Sequence, residues 1–261
     1  MALPVETPRQ FTERFARFDP SVWTDGYLPA WSSRDAAAAS YSVGAHGLVL
    51  SIPDGQGLWC PDDHPTPLRV SGIHSANRSG PVGSHDAQQP FREGQVVREQ
   101  QPTVMGFVPH FGTIAVTCTA QLTPRSMFSA WMVGLEDRPE RCGEICLMEV
   151  FGNALGDGTA AVGQGIHAFR DPALREDFAA ERRVIDVAEP HSYQADWRRG
   201  GVTFSIDGVT TRVCEQAPDY PMMLILGLFD FPGERGDGLA EFTVTEVTGA
   251  RLGAGSLIRG A

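Results

Sequence analysis

The sequence predicts an all-β protein, a sandwich or jelly roll of two antiparallel sheets. Three observations lead there. Short runs of alternating or continuous apolar residues recur along the chain at strand length. Turn residues separate them, drawn from 29 Gly and 19 Pro in 261 residues. Helical spacing of apolar residues is scarce, and strands this dense without intervening helices suit a sandwich.

Taken in order, the strand runs fall at 47–52, 112–121, 128–133, 145–151, 191–197, 202–206, 222–228 and 241–247. The run 112–121 alternates Thr113, Ala115, Thr117 and Thr119 with Ile114, Val116, Cys118 and Ala120, so one face is apolar. The runs 128–133 and 222–228 are almost wholly apolar. The run 202–206 leads into Asp207-Gly208, a strong hairpin signal. The segment 59–101 is rich in Pro, Gly, Ser, His, Asp and Arg, and is too long for an idle connection. One or two strands are expected inside it, around 68–74 and 95–99. The segment 169–183, charged and Ala-rich, reads as a loop with a short surface helix. The chain after Gly249 reads as a partly disordered tail. With no internal repeat or low-complexity linker, residues 1–261 read as a single domain.

Composition narrows the function. A formal net charge of −11 argues against nucleic-acid binding and suits a neutral or cationic ligand. All 21 basic residues are Arg, which reflects codon usage and excludes a lysine Schiff base. The five cysteines, Cys60, Cys118, Cys142, Cys146 and Cys214, are odd in number and irregular in spacing, so no disulfide framework is expected. On one strand Cys142 and Cys146 would lie roughly 13 Å apart, too far for a bridge. No CxxC is present, so zinc is not expected. The N-terminus lacks a basic, then apolar, leader pattern, and no apolar run approaches a membrane span. The chain therefore reads as cytoplasmic and reduced, or secreted if a leader was removed.

The most informative stretch is Gly143-Glu144-Ile145-Cys146-Leu147-Met148-Glu149-Val150-Phe151-Gly152. It sets two carboxylates and a thiol in an apolar run, where a charge is costly unless compensated. Either this is an edge strand with solvent-facing acids, or the acids flank a cleft as a glycosidase pair. In a regular strand Glu144 and Cys146 share a face and Glu149 takes the other. One extra residue in a β-bulge would return Glu149 to the face of Glu144.

The order of these segments resembles glycoside hydrolase family 16, the laminarinase and lichenase family. Its signature Glu-x-Asp-x-x-Glu corresponds to Glu144-Ile145-Cys146-Leu147-Met148-Glu149. Phe128-Ser129-Ala130-Trp131-Met132-Val133-Gly134 resembles the strand before the signature, and Gly165-Ile166-His167 the Gly-x-x-His after it. His191-Ser192-Tyr193-Gln194-Ala195-Asp196-Trp197, Val202-Thr203-Phe204-Ser205-Ile206-Asp207-Gly208 and Pro221-Met222-Met223-Leu224-Ile225-Leu226 resemble later strands. The likeness spans about residues 15–248. It implies a concanavalin-like β-jelly roll of two antiparallel sheets with a concave cleft. It also implies retaining hydrolysis of a β-glycosidic bond, with Glu144 as nucleophile and Glu149 as general acid/base. Trp131 would offer a flat face to a sugar ring or serve the core. His167 would bind a substrate hydroxyl or the acid/base, or be an ordinary satisfied histidine. The partner implied is a carbohydrate or glycosylated small molecule, in carbohydrate metabolism, with neither nucleic acid nor membrane. No cofactor or catalytic metal is implied; the family's structural calcium is left open.

Two departures matter. The signature's middle Asp is Cys146, a weak donor that is neutral unless perturbed. It admits a tuned enzyme with Cys146 in the catalytic group, a different reaction in the same cleft, or an inactive sugar binder. The strand at 111–119 also lacks the family's charges, at Thr113, Ala115, Thr117 and Thr119. Asn77, Arg78, His85, Arg92 and Arg98 of the long loop are candidates to compensate. Beside the glycosidase stand two alternatives: a non-hydrolytic carbohydrate-binding protein, and an intracellular enzyme acting on a small glycosylated metabolite.

Overall fold

Period-two alternation needs something to cover its apolar side, and two sheets do this for each other. The computed structural model describes residues 10–233 and 238–250. One sheet has eight strands: β1 (Gln10–Glu13), β2 (Ser40–Gly44), β3 (Gly47–Ser51), β7 (Gly112–Gln121), β13 (His191–Arg198), β14 (Gly201–Ile206), β15 (Val209–Cys214) and β17 (Glu241–Ala250). The other has seven: β4 (Arg69–His74), β8 (Ser126–Gly134), β9 (Glu144–Phe151), β10 (Leu155–Gly156), β11 (Thr159–His167), β12 (Asp177–Val184) and β16 (Met222–Asp230). A short pair, β5 (Ala76–Asn77) and β6 (Val104–Met105), brackets most of the long loop.

The first sheet runs β15-β14-β13-β7-β17-β3-β2, with β1 also on β17; the second runs β10-β11-β9-β8-β16-β4, with β12 on β11. The strand pairs within both sheets are antiparallel. The expected jelly-roll sandwich is thus the fold found. Between the sheets, Ile114, Val116 and Cys118 of β7 and Phe242 and Val244 of β17 meet Phe128, Ala130 and Met132 of β8. Each such aliphatic or aromatic side chain stabilises the fold by about 1.5–3 kcal/mol on burial.

A second apolar cluster covers the outer face of the seven-stranded sheet. Trp131, Cys146, Ile225 and Phe229 there pack beneath Leu28, Trp31, Trp59 and Leu68. β8 and β16 are therefore buried on both faces, which explains their almost unbroken apolar sequence. All five cysteines are buried and free. Among the described residues no helix is long and apolar enough to cross a membrane.

The structure corrects three expectations. Residues 95–99 form no strand: Val97 is a buried plug whose backbone bonds Gly83 and Ser84 within the loop. No helix forms in 169–183; β12 pairs with β11 over eight successive positions, and this ladder outweighs a weak local helix preference. Thr113, Ala115, Thr117 and Thr119 lie on the outer side of the eight-stranded sheet, opposite Ile114, Val116 and Cys118 of the core. Their lack of charge has no bearing on a cleft over the other sheet. The tail expected after Gly249 falls almost wholly outside the described residues.

Gly165 of β11 lies opposite Cys146 with φ at +144°, and a Cβ there would meet the Asp177 carbonyl oxygen at 2.2 Å. Gly165→Ala should cost about 1–3 kcal/mol through this strain. Urea denaturation should show a lower midpoint with an unchanged slope.

Candidate active site

The site begins with a register shift in β9. On the β8 side, Val133, Met132 and Trp131 oppose Glu144, Ile145 and Cys146; then Ala130 opposes Met148, and Ser129 opposes Glu149. Leu147 has no counterpart and is the extra residue of a β-bulge. Leu147 and Met148 consequently both enter the sandwich core, beside Ile145 and Val150. Glu144, Cys146, Glu149 and Phe151 are left together on the outer face, lining one cavity. The expected bulge is present and has the expected effect.

Buried side chains secure the bulge. The Gln164 amide donates to the Leu147 carbonyl at 2.9 Å, and the Ser129 hydroxyl donates to the Met148 carbonyl at 2.9 Å. Gln164 is itself held by the Thr211 hydroxyl at 2.6 Å.

The cavity measures about 390 Å³. Its floor carries Trp131, Glu144, Cys146, Glu149 and His167, and its roof is formed by loop residues including Tyr27, Trp59, Gln89 and Phe91. Trp131 is only 6 % exposed, yet it belongs to the cleft wall and not to the space between the sheets. It packs against Tyr27 and Phe229, with ring centroids 6.3 and 6.0 Å away. His167 stacks on Phe178, centroids 4.4 Å apart, and its Nδ1 lies 2.6 Å from Glu176 Oε1.

Burial dominates the electrostatics. Glu144 is 8 % exposed, and desolvation pushes its carboxyl well above the usual range. The Glu149 charge adds to this, a hydrogen bond from Gln89 Nε2 to Glu144 Oε1 opposes it, and Glu136 and Glu176 add smaller repulsions. Desolvation also raises Glu149, opposed by His167. Two desolvated carboxylates that repel each other favour a state in which the pair holds a proton. Burial, followed by the charges of Glu149 and Glu144, raises the Cys146 thiol well above its ordinary value, so it stays protonated.

Sequence reasoning missed two polar groups of this site. Glu136, in the turn after β8, is a buried carboxylate bound by Arg170 Nη2 at 2.6 Å and by the Gln89 backbone N–H at 2.6 Å. Gln89 enters from the long loop and donates to both Glu136 and Glu144. Neither residue stands in a motif; the only sequence signal was the length of the loop. The loop residues expected to compensate do not line this cavity. Arg92 and Arg98 pair with Asp63, Arg78 with Asp86, His85 with the Gln95 carbonyl, and Asn77 with the Pro102 carbonyl. Among the described residues no group of three or more His, Cys, Asp or Glu side chains could hold a metal ion.

No family model matches this sequence, and no curated protein matches it. Solved structures do. A GlcNAcα1-4Gal-releasing endo-β-galactosidase from Clostridium perfringens shares 23 % identity over 95 % of this chain, with a TM-score of 0.74. This chain spans 64 % of that protein's length. The laminarinase catalytic domain of Thermotoga maritima MSB8 shares 14 % identity over 93 % of this chain and 97 % of its own, at a TM-score of 0.59. The Bacillus licheniformis β-glucanase shares 12 % over 95 % of this chain and 100 % of its own, at 0.56. At these identities the likeness establishes the fold.

The raised carboxyls predict a pH effect of definite sign. A group whose folded pKa lies above its unfolded value stabilises the fold fully only below the unfolded value, and loses that contribution as pH rises through the folded one. Glu144→Gln cannot ionise. It should melt with the wild type near about pH 4 and at a higher temperature than the wild type in the alkaline range. Thermal unfolding followed across pH measures this.

Proposed function

We propose that this protein is a retaining β-glycosidase that hydrolyses or transfers a β-linked sugar with Glu144 and Glu149. One observation carries the reading: a bulge in β9 delivers a buried carboxylate, Glu144, and a half-buried one, Glu149, to the same side of one aromatic-lined cavity. The fold it shares with an endo-β-galactosidase, a laminarinase and a β-glucanase supports the same reading.

In this mechanism one Glu144 oxygen attacks the anomeric carbon as the bond to the leaving oxygen breaks. Glu149 gives its proton to that oxygen. Water, or an acceptor sugar hydroxyl, then attacks the same carbon, returns a proton to Glu149 and frees Glu144. Desolvation raises the Glu149 carboxyl, the direction a general acid requires, while the hydrogen bond from Gln89 favours the ionised form of Glu144. Trp131 and the aromatic roof provide apolar faces for a sugar ring and exclude water. Cys146, protonated and buried, acts as a small neutral wall and not as a nucleophile.

The cavity can enclose a short substrate. Its volume of about 390 Å³ lies toward the small end of small-molecule sites. A glycosylated small molecule or a short oligosaccharide is of a size to fill it. The purely sugar-binding alternative loses one of its two supports, since the uncharged threonines of β7 lie on the other sheet.

Soluble β-1,3- and mixed-linkage glucans, together with short aryl β-glucosides and β-galactosides, should be tested for release of reducing ends or aglycone. Turnover is expected, and Glu144→Gln and Glu149→Gln should each lower kcat by at least about 100-fold. A fully active Glu144→Gln enzyme would remove that residue from the mechanism. Calorimetric binding of a glycan without turnover would replace the glycosidase by the binder.

A further inference from the structure

Cys146 is the neighbour of Glu144 on the same face of β9, yet it gives that carboxylate no support. Its thiol lies 3.9 Å from the Gly163 carbonyl and is a weak donor at best. Among the described residues, the hydrogen bond that reaches the Glu144 carboxylate comes from the opposite wall, from Gln89 Nε2 to Oε1.

Gln89 is built into its place. Its backbone is left-handed, φ +48°, an unfavourable conformation for glutamine that the surroundings impose. Its N–H is held by Glu136, which Arg170 holds in turn. The preceding Gln88 is fixed twice, by Trp31 Nε1 to its backbone carbonyl at 2.7 Å and by the Arg78 N–H to its side chain at 3.2 Å. The side chain thus anchored lines the cavity. One of its atoms remains unsatisfied: Gln89 Oε1 is buried and has no hydrogen-bond partner. A buried acceptor without a donor is costly, and in a cavity the donor can arrive with the ligand.

We propose that Gln89 is the positioning residue of this site: its amide N–H orients the Glu144 carboxylate in place of the support missing at Cys146, and its carbonyl oxygen receives a substrate hydroxyl. The role rests on the glycosidase reading. With Oε1 occupied by Gln89, Oε2 is the oxygen left to attack. One side chain then couples the nucleophile to the sugar, so a correctly bound ring finds the carboxylate already aimed.

The test uses the full-length protein with Gln89→Asn and Gln89→Gly, both residues that accept a left-handed backbone. Neither reaches Glu144. The groups facing Glu144 besides Gln89 are Glu149 and Cys146 on its own strand, His167 opposite it on β11, Tyr27 from the roof, and Glu136, Arg170 and Glu176 from flanking loops; these stay in place. Carbon-13 NMR titration of the glutamate carboxyls should show the Glu144 midpoint rising by about one pH unit in both variants, because a donor to the ionised form is lost. In the wild type, the Gln89 side-chain amide protons should move with the Glu144 midpoint. With p-nitrophenyl β-glycosides, kcat should fall about 10- to 100-fold, with a rise in KM.

An unchanged Glu144 midpoint, or an unchanged kcat in Gln89→Gly, would overturn the role of Gln89 and leave the glycosidase standing. A wild type that turns over no glycoside would overturn both, whatever the titration shows. A midpoint shift accompanied by the loss in kcat supports the proposal.

Discussion

A β-strand alternates its side chains with period two, so acids five positions apart leave a regular strand on opposite faces. In β9 that would place one of Glu144 and Glu149 in the sandwich core. The inserted Leu147 prevents it, and its trace in the structure is two adjacent core residues and two backbone carbonyls, those of Leu147 and Met148, bonded by side chains. Each carbonyl is recovered by a buried side chain, Gln164 for Leu147 and Ser129 for Met148. An unsatisfied buried carbonyl costs about 1–3 kcal/mol, so these two bonds decide whether the insertion is tolerated. Gln164 is tied further to Thr211 of β15, a strand of the other sheet. The register of the bulged strand thus depends on both sheets of the sandwich.

The sheet that carries the bulge is buried on both sides at its centre, which gives the cleft a rigid floor. The roof is tied together by bonds between its own segments that also complete the second apolar cluster. Trp59 Nε1 donates to the Tyr27 carbonyl at 2.9 Å, and Trp31 Nε1 to the Gln88 carbonyl at 2.7 Å. Trp131 and Phe229 meet Tyr27 from below. Aromatic rings that would contact a ligand are therefore the same rings that hold the loop to the sheet. Such sharing makes for a preorganised site, since the wall residues have little freedom left to lose on binding.

Strands, hairpin and bulge were legible because each is local: alternation shows in β7, unbroken apolar sequence in β8 and β16, a turn pair at Asp207-Gly208, and two acids at a spacing that only an insertion reconciles. The misreadings have a common origin in tertiary contact. Residues 177–184 carry weak helical preference, yet the open edge of β11 offers eight pairing positions. Val97 looks like part of a strand but is buried as a plug under the loop. Gln89 and Glu136 lie 47 positions apart, and nothing in either neighbourhood announces that a backbone N–H of one meets the carboxylate of the other. A polar site assembled from loops has no period to read.

The thiol at 146 makes electrostatic sense once Glu136 is counted. Glu144 already feels Glu149, Glu136 and Glu176 as like charges while being almost wholly desolvated. Arg170 neutralises Glu136, as a partner of that carboxylate and not of Glu144. A further acid at 146, on the same face and between the two glutamates, would raise all of their proton affinities together. The bulged strand would then have to hold three carboxyls in one dry patch. A neutral thiol avoids that repulsion, and the hydrogen bond that an acid could have shared with Glu144 is supplied by an uncharged amide from the roof. An amide supports the ionised carboxylate without adding charge, which in so desolvated a cavity is the less costly way to keep Glu144 both oriented and capable of ionising.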